Sequence, residues 1–383
     1  MRFRDALGAP GFGAIAEFKR RSPSAGDIRP DGNVVAIAQS YERGGARAMS
    51  VLVDERFAGT WDDLRAARSA TTLPLLAKGF FSTADDLRTA KQAGADAALL
   101  LLRDLDDGQC AALMRVAFEL GLDTLVEAHD AAELERASML GAPVIGVNAR
   151  DLSTFELDRD AQLRLLASAP RDRILIAESA IATRAQGAAA ELTGANAMLV
   201  GSTLMRAPDP GAKLEDLLHR PLVKVCGLTR QEDVDAAVEA GADLVGFILA
   251  KESPRRTDDL LAAPETVLRV AVFVGDEHET GADVVQFYGL EDGHRARDGV
   301  LRRNGRQVGE VVDLPWEADD PTHIERARAR EGRVMLAGGL GPDNVAAAIE
   351  AVRPWAVDSA RSTESEPGIK DHDLIRAWVE AAR

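Results

Sequence analysis

A chain of 383 residues is too long for one ordinary core and suits two domains of roughly 150 to 250 residues each. With 46% apolar and 28% charged residues it has the composition of a globular protein, and its formal net charge of −16 argues against nucleic acid as a partner, because phosphates would be repelled over the whole surface. Two cysteines, Cys110 and Cys226, cannot form a disulfide framework and suit a reducing, cytoplasmic setting; no zinc-type spacing exists, and the longest purely apolar run, 97–102, is far short of a membrane span.

In chain order, the first half repeats one pattern. Short apolar runs at 14–18, 49–53, 73–77, 97–102, 124–126, 144–147, 174–177 and 197–200 alternate with helical stretches. Several runs follow a small-residue turn, as in Gly44-Gly45-Ala46, Ala93-Gly94-Ala95, Leu140-Gly141-Ala142 and Thr193-Gly194-Ala195, where glycine supplies a left-handed helix end. Runs without strict alternation are strands covered on both faces, so eight of them with intervening helices predict a (β/α)8 TIM barrel.

A barrel of this kind gathers its chemistry at the carboxyl ends of the strands. The residues at or just past each run are Glu17 and Lys19, Asp54, Lys78, Arg103, Glu127, Asn148, Glu178 with Ser179, and Gly201 with Ser202. Any one of them could be a solvated loop residue. Glu17 and Lys19, however, share one face of the first strand by its two-residue period, and burying both is costly unless they pair or bind something. Gly201-Ser202 between the eighth strand and a short helix suggests a phosphate site, with Ser179 facing it.

The segments Ile15–Ser24, Ser50–Glu55, Leu125–His129, Ile145–Leu152 and Val200–Met205 together resemble indole-3-glycerol-phosphate synthase across residues 1–218. The resemblance implies closure of the indole ring of 1-(2-carboxyphenylamino)-1-deoxyribulose 5-phosphate with loss of carbon dioxide and water and with no cofactor. It assigns Lys78 as general acid, Lys19 as partner of the aromatic carboxylate and Glu127 as proton shuttle. Glu17, Asn148, Arg150 and Glu178 would hold the substrate, and Ser22, Ser179, Gly201 and Ser202 its phosphate. A lysine surrounded by cations in a dry site is expected to have a lowered pKa. Two positions depart from the family pattern: Gly79 stands where Asp is usual and Ala180 where Gly is usual.

After a connector rich in proline, strand candidates resume at 222–226, 244–249, 270–274, 284–287, 308–312, 334–337 and 356–357. The segments Val223–Thr229, Gly246–Ile248 with Ser253-Pro254-Arg255, Val272–Val274, Val285-Gln286, Leu336–Leu340 and Glu364–Asp371 resemble phosphoribosylanthranilate isomerase over residues 219–383. That resemblance implies Cys226 as general base and, as the available acid, Asp313. Arg255 would hold the anthranilate carboxylate, and Gly338, Gly339 and Ser359 the phosphate. The thiol would need a modest downward pKa shift to work at neutral pH. Tyr288 stands where His is usual. The stretch 289–336 is short for the family, and Val300–Val308 reads as a hairpin with an Asn-Gly turn, which does not belong in a regular parallel barrel.

The chain therefore reads as two tandem TIM barrels, the second shortened and irregular, acting on small phosphorylated anthranilate-derived substrates in tryptophan biosynthesis. Two alternatives stand beside this: a working synthase with a decayed second barrel, and a phosphate-metabolite binding protein without turnover.

Overall fold

The computed structural model describes residues 2–23, 26–150, 157–314 and 320–383, so Ser24, Asp151 and Leu152 of the motifs above lie outside the described residues. The chain divides into two compact units, Met1–Ala182 with Ala190–Leu218 and Thr183–Ala189 with His219–Arg383.

The first unit is built on β1 (Gly13–Phe18), β2 (Ala48–Leu52), β3 (Leu75–Lys78), β4 (Ala97–Leu101), β5 (Asp123–Ala128), β6 (Val144–Asn148), β7 (Ile174–Glu178) and β8 (Ala197–Val200). All neighbours are parallel, and β8 closes on β1. Each strand coincides with one of the eight expected runs to within a residue or two. Helices follow in turn: α2 (Val34–Arg43), α3 (Trp61–Ala70), α4 (Ala84–Gln92), α5 (Asp107–Glu119), α6 (Ala131–Met139), α7 (Arg159–Ser168) and α8 (Arg184–Thr193), then the short α9 (Ser202–Arg206) and α10 (Pro210–Leu218). Their starts are set locally. Thr60, Thr83 and Asp106 close reciprocal capping boxes, each satisfying two backbone donors that the first turn leaves open. The turn glycines Gly45, Gly94, Gly141 and Gly194 all have positive φ, as their small-residue turns required.

A further helix, α1 (Phe3–Leu7), was not legible in the sequence. Its Phe3 and Leu7 are fully buried and join Ile15, Leu76, Leu99, Leu125, Val144, Ile176 and Leu199 in one apolar cluster. Arg2 and the Arg4 backbone bind Asp123 at the start of β5, so α1 lies at the amino-terminal end of the barrel. The cluster also fixes which residues face inward. Ile15, Leu76, Leu125, Val144, Ile176 and Leu199 point to the axis, and two residues on along a strand the same face recurs. Glu17, Lys78, Glu127, Gly146, Glu178 and Gly201 therefore share the inner face.

The second unit also closes eight strands: β9 (Leu222–Cys226), β10 (Leu244–Ile248), β11 (Leu268–Val274), β12 (Val284–Tyr288), β13 (Gly299–Arg303), β14 (Arg306–Val312), β15 (Val334–Leu336) and β16 (Ala356–Ser359). The irregularity expected of this barrel comes from the hairpin. Its two arms are β13 and β14, and β13 runs antiparallel to both neighbours while the other pairings are parallel. A reversed strand can replace a β/α unit because it needs only a tight turn, supplied by Asn304 (φ 50°) and Gly305 (φ 71°), instead of a crossover helix. Helices α11 (Gln231–Ala240), α12 (His323–Arg328), α13 (Val345–Val352) and α14 (His372–Ala382) follow only the first and the last three strands. The chain is shorter here because, among the described residues, no helix lies between β10 and β14.

Candidate active sites

In the first unit the inner-face residues converge at the carboxyl ends of the strands. The Lys78 ammonium donates to Glu178 Oε2 at 2.6 Å and lies 3.5 Å from Glu17 Oε2 and 3.7 Å from Glu127 Oε2. Lys19 Nζ is 2.9 Å from Glu17 Oε1, and Asn148 Nδ2 donates to Glu127 Oε1 at 2.9 Å. Four strands thus bring three carboxylates and two ammonium groups around one point. Glu17, Glu127 and Glu178 are buried, so their mutual repulsion and loss of hydration must be offset by the lysines.

The electrostatics reverse one expectation. Burial pulls the Lys78 pKa down, but Glu178, Glu17 and Glu127 outweigh it and the net shift is upward. The neighbours the sequence could not show are carboxylates on other strands, not cations. Glu17 is pushed up by burial and brought below the ordinary range by Lys19 and Lys78. Burial likewise raises Glu127, but Lys78, His129 and Asn148 bring it down to about 2. Glu178 has burial and Glu127 against it and only Lys78 in its favour, and rises to about 8. Two carboxyl groups on one ammonium are pushed in opposite directions, the kind of separation that lets one donate and the other accept a proton.

Glycines mark how tightly the cluster is packed. A Cβ on Gly201 would lie 2.4 Å from Glu17 Oε1, and one on Gly146 would lie 2.0 Å from Glu178 Oε1. In the sequence Gly146 is only one residue of the Ile145–Leu152 motif, and nothing there shows its neighbour across the barrel. Gln162, which sequence reasoning missed, is buried on α7 and donates to the carbonyls of Val147 and Glu178, tying the ends of β6 and β7 together. His129 was missed as well; it lies between Glu127 and Glu133. Ser179 leaves β7, Gly201 and Ser202 leave β8, and Ser22 lies in a short ribbon after β1. Since β7, β8 and β1 are adjacent, these three loops share one sector of the rim. The Arg150 amide donates to Asn148 Oδ1, which fixes the turn after β6.

In the second unit Cys226 ends β9, with Lys224 two residues earlier on the same inner face and fully buried. Lys224 donates to Asp358 Oδ2 at 2.9 Å and to Gln286 Oε1 at 2.7 Å. Gln286 Nε2 donates to the Tyr288 hydroxyl, which donates to Asp313 Oδ2, both at 2.8 Å. A buried hydrogen-bonded line therefore runs from the lysine beside Cys226 to Asp313. Asp313 follows β14 and Cys226 ends β9, and both strands run in the same sense, so the two lie on one rim. Arg295 also donates to Asp313, at 2.9 Å, with its guanidinium over the Tyr288 ring. The expected downward shift of the thiol is not met: burial raises the Cys226 pKa, Lys224 lowers it in part, and the net shift is upward.

Arg255 crosses Gly227, where a Cβ would meet its Cδ at 2.9 Å, so it reaches the mouth beside Cys226. Its Nε donates to the Glu364 carboxylate, which also pairs with Lys370 at 3.0 Å. Gly338, at φ 82°, leaves room for Asp313, whose Oδ1 would lie 2.5 Å from a Cβ there. Ser359, at the end of β16, donates to the Leu340 carbonyl in the turn that follows Gly338 and Gly339. Among the described residues no group of three or more His, Cys, Asp or Glu could hold a metal ion, and no helix is long and apolar enough to cross a membrane.

Comparison with known proteins agrees with this division. The family model for indole-3-glycerol phosphate synthase matches residues 2–217, and that for N-(5'-phosphoribosyl)anthranilate isomerase matches residues 316–381. A multifunctional tryptophan biosynthesis protein of Phycomyces blakesleeanus is 31% identical over 96% of this chain, which spans 62% of that relative's length. Among solved structures, a phosphoribosyl anthranilate isomerase in complex with reduced 1-(o-carboxyphenylamino)-1-deoxyribulose 5-phosphate is 30% identical, with 43% of this chain covering 98% of that one at a TM-score of 0.33. Monomers of the dimeric isomerase from Thermotoga maritima are 31% identical over the same shares, at a TM-score of 0.31. The chain belongs to the indole-3-glycerol phosphate synthase family.

Proposed function

We propose that the chain catalyses two consecutive steps of tryptophan biosynthesis in the cytosol. Residues 219–383 isomerise N-(5-phosphoribosyl)anthranilate to 1-(2-carboxyphenylamino)-1-deoxyribulose 5-phosphate, and residues 1–218 close that product to indole-3-glycerol phosphate, releasing carbon dioxide and water. The observation that carries the reading is the meeting of Lys78 with Glu17, Glu127 and Glu178 at one rim, each delivered by a different strand.

In ring closure, the aromatic carbon attacks the C2 carbonyl and its oxygen gains negative charge. Lys78 stays protonated across the working pH range and stabilises that oxygen as a buried cation and proton donor. Lys19 pairs with the substrate carboxylate until it leaves, and Glu127, held ionised, accepts the proton released on the way to the aromatic ring. Glu178, which holds its proton most readily, supplies one to the departing hydroxyl. Glu17, Asn148 and Arg150 orient the substrate, and the serine-glycine sector of Ser22, Ser179, Gly201 and Ser202 takes the phosphate. In the isomerisation, Asp313 protonates the furanose oxygen as the ring opens and Cys226 removes the proton from C2. Lys224 beside the sulfur favours the thiolate. Arg255 holds the anthranilate carboxylate, and Gly338, Gly339 and Ser359 line the phosphate end.

The purified full chain is to be given each substrate separately. Lys78→Ala is expected to cut ring closure by about 10² to 10⁴-fold and leave isomerisation intact; Cys226→Ala does the reverse. A wild-type chain that closes no ring would overturn the first assignment, and isomerisation surviving in Cys226→Ala would overturn the second.

A further inference from the structure

His129 is the first residue beyond β5 and lies on the same inner face as Glu127. Its ring is nearly enclosed, with its side chain 13% exposed, and it stands between two carboxylates. Nδ1 is 3.0 Å from Glu133 Oε2, and that oxygen also accepts from the His129 backbone N–H at 2.9 Å. Nε2 is 3.1 Å from Glu127 Oε1 and, among the described residues, has no hydrogen-bond partner of good geometry. Glu133 is itself fixed: it sits in the first turn of α6, and its N–H donates to the N-cap Asp130 at 2.8 Å.

We propose that Glu133, His129 and Glu127 form a carboxylate–imidazolium–carboxylate line in which His129 and Glu133 are positioning residues that keep Glu127 ionised and aimed across the mouth at Lys78. The proposal rests on the ring-closing function of the first unit. With a carboxylate oxygen close to each ring nitrogen, the charged form with protons on both is favoured, and its second N–H lies toward Glu127. The other groups around Glu127 are Lys78 on β3, Glu178 on β7, Asn148 on β6, Arg103 after β4, and Glu17 on β1 with its partner Lys19 just beyond that strand. Lys78 is shared among three carboxylates, and it lowers Glu127 together with His129, whereas burial and the Glu127 charge push Glu178 the other way. Burial lowers the His129 pKa, but Glu127 and Glu133 carry it up to about 10, so the cation persists through neutral pH.

The test is the pH dependence of ring closure by the full chain, with histidine protonation followed by NMR. His129→Gln is expected to lower kcat about tenfold or more with little change in KM. It should also move the acid-side midpoint of kcat up by about one pH unit or more, since losing a cation makes Glu127 easier to protonate. In the wild type the ring of His129 should stay protonated beyond pH 8, and in Glu133→Gln it should titrate about one unit lower or more. An unchanged acid-side midpoint in His129→Gln, or a wild-type His129 titrating near the ordinary 6.5, would overturn the proposal. Should His129→Gln fail to fold, the NMR comparison of wild type and Glu133→Gln decides. A wild type that closes no ring at any pH defeats the functional reading instead, and the NMR titration still tests the geometry.

Discussion

Ala180 shows what one methyl group costs. It stands where the family pattern has glycine, and both Ser179 and Ala180 adopt positive φ, 68° and 54°. A left-handed conformation costs an L-residue roughly 1 to 2 kcal/mol, part of which glycine returns through its greater freedom when unfolded. Ala180→Gly should therefore stabilise the first unit by about 0.5 to 1 kcal/mol, seen as a higher denaturation midpoint at unchanged m. No gain would show that the turn is unstrained. Gly79, the other departure, has the opposite character: a Cβ there would lie 2.9 Å from the Phe81 ring and 3.1 Å from Val53, so Asp fits only if that ring moves. Glu17, Lys78, Glu127 and Glu178 were legible because each stands at or just past the end of an apolar run, where a barrel gathers its chemistry. Their protonation was not, since it depends on charged groups far apart in sequence, as Lys78 and Glu178 are, 100 residues from one another. His129 was passed over for the same reason, because its second partner sits on the next helix.

At the scale of elements, the reversed strand β13 is the feature most exposed to substitution. The Asn304-Gly305 turn identified the hairpin from sequence alone. What the sequence could not show was that β13 pairs with β12 and so completes the ring, because a five-residue strand of mixed burial carries no directional signal. Two glycines in this region test different forces. A Cβ on Gly305 would meet nothing within 4 Å, but φ there is 71°, so Gly305→Ala costs only conformational strain, about 1 kcal/mol. At Gly299 a Cβ would lie 2.7 Å from the Phe287 carbonyl, and Gly299→Val must push β13 off β12. It should destabilise the second unit by several kcal/mol, in the tail of single-substitution effects. Thermal inactivation of isomerisation should follow that order, Gly299→Val well before Gly305→Ala, with ring closure unaffected by either. Equal effects would mean that close backbone approach does not secure the seam.

For the whole molecule, each constellation is complete within its own half of the sequence. Glu17, Lys19, Lys78, Glu127, Asn148 and Glu178 precede residue 218, and Cys226, Lys224, Gln286, Tyr288 and Asp313 all follow it. The hydrogen bonds and ion pairs that build either set join residues of that set's own half, so under the proposed function damage to one set would leave the contacts of the other in place. A net charge of −16 gives an anion no general attraction to the surface, so under the proposed function capture of the intermediate would fall to the local lysines and arginines of the mouth. If the intermediate passes through solution, two damaged chains should make good one another's defect. An equimolar mixture of Lys78→Ala and Cys226→Ala chains is then expected to convert phosphoribosylanthranilate to indole-3-glycerol phosphate at about half the wild-type rate for the same total protein, because each function is present at half concentration. The check is continuous detection of the indole product, with each variant alone as the blank. A mixture far slower than this, while both single reactions run at full rate per intact site, would mean that tethering the two activities raises the local concentration of the intermediate and that the fusion itself contributes to flux.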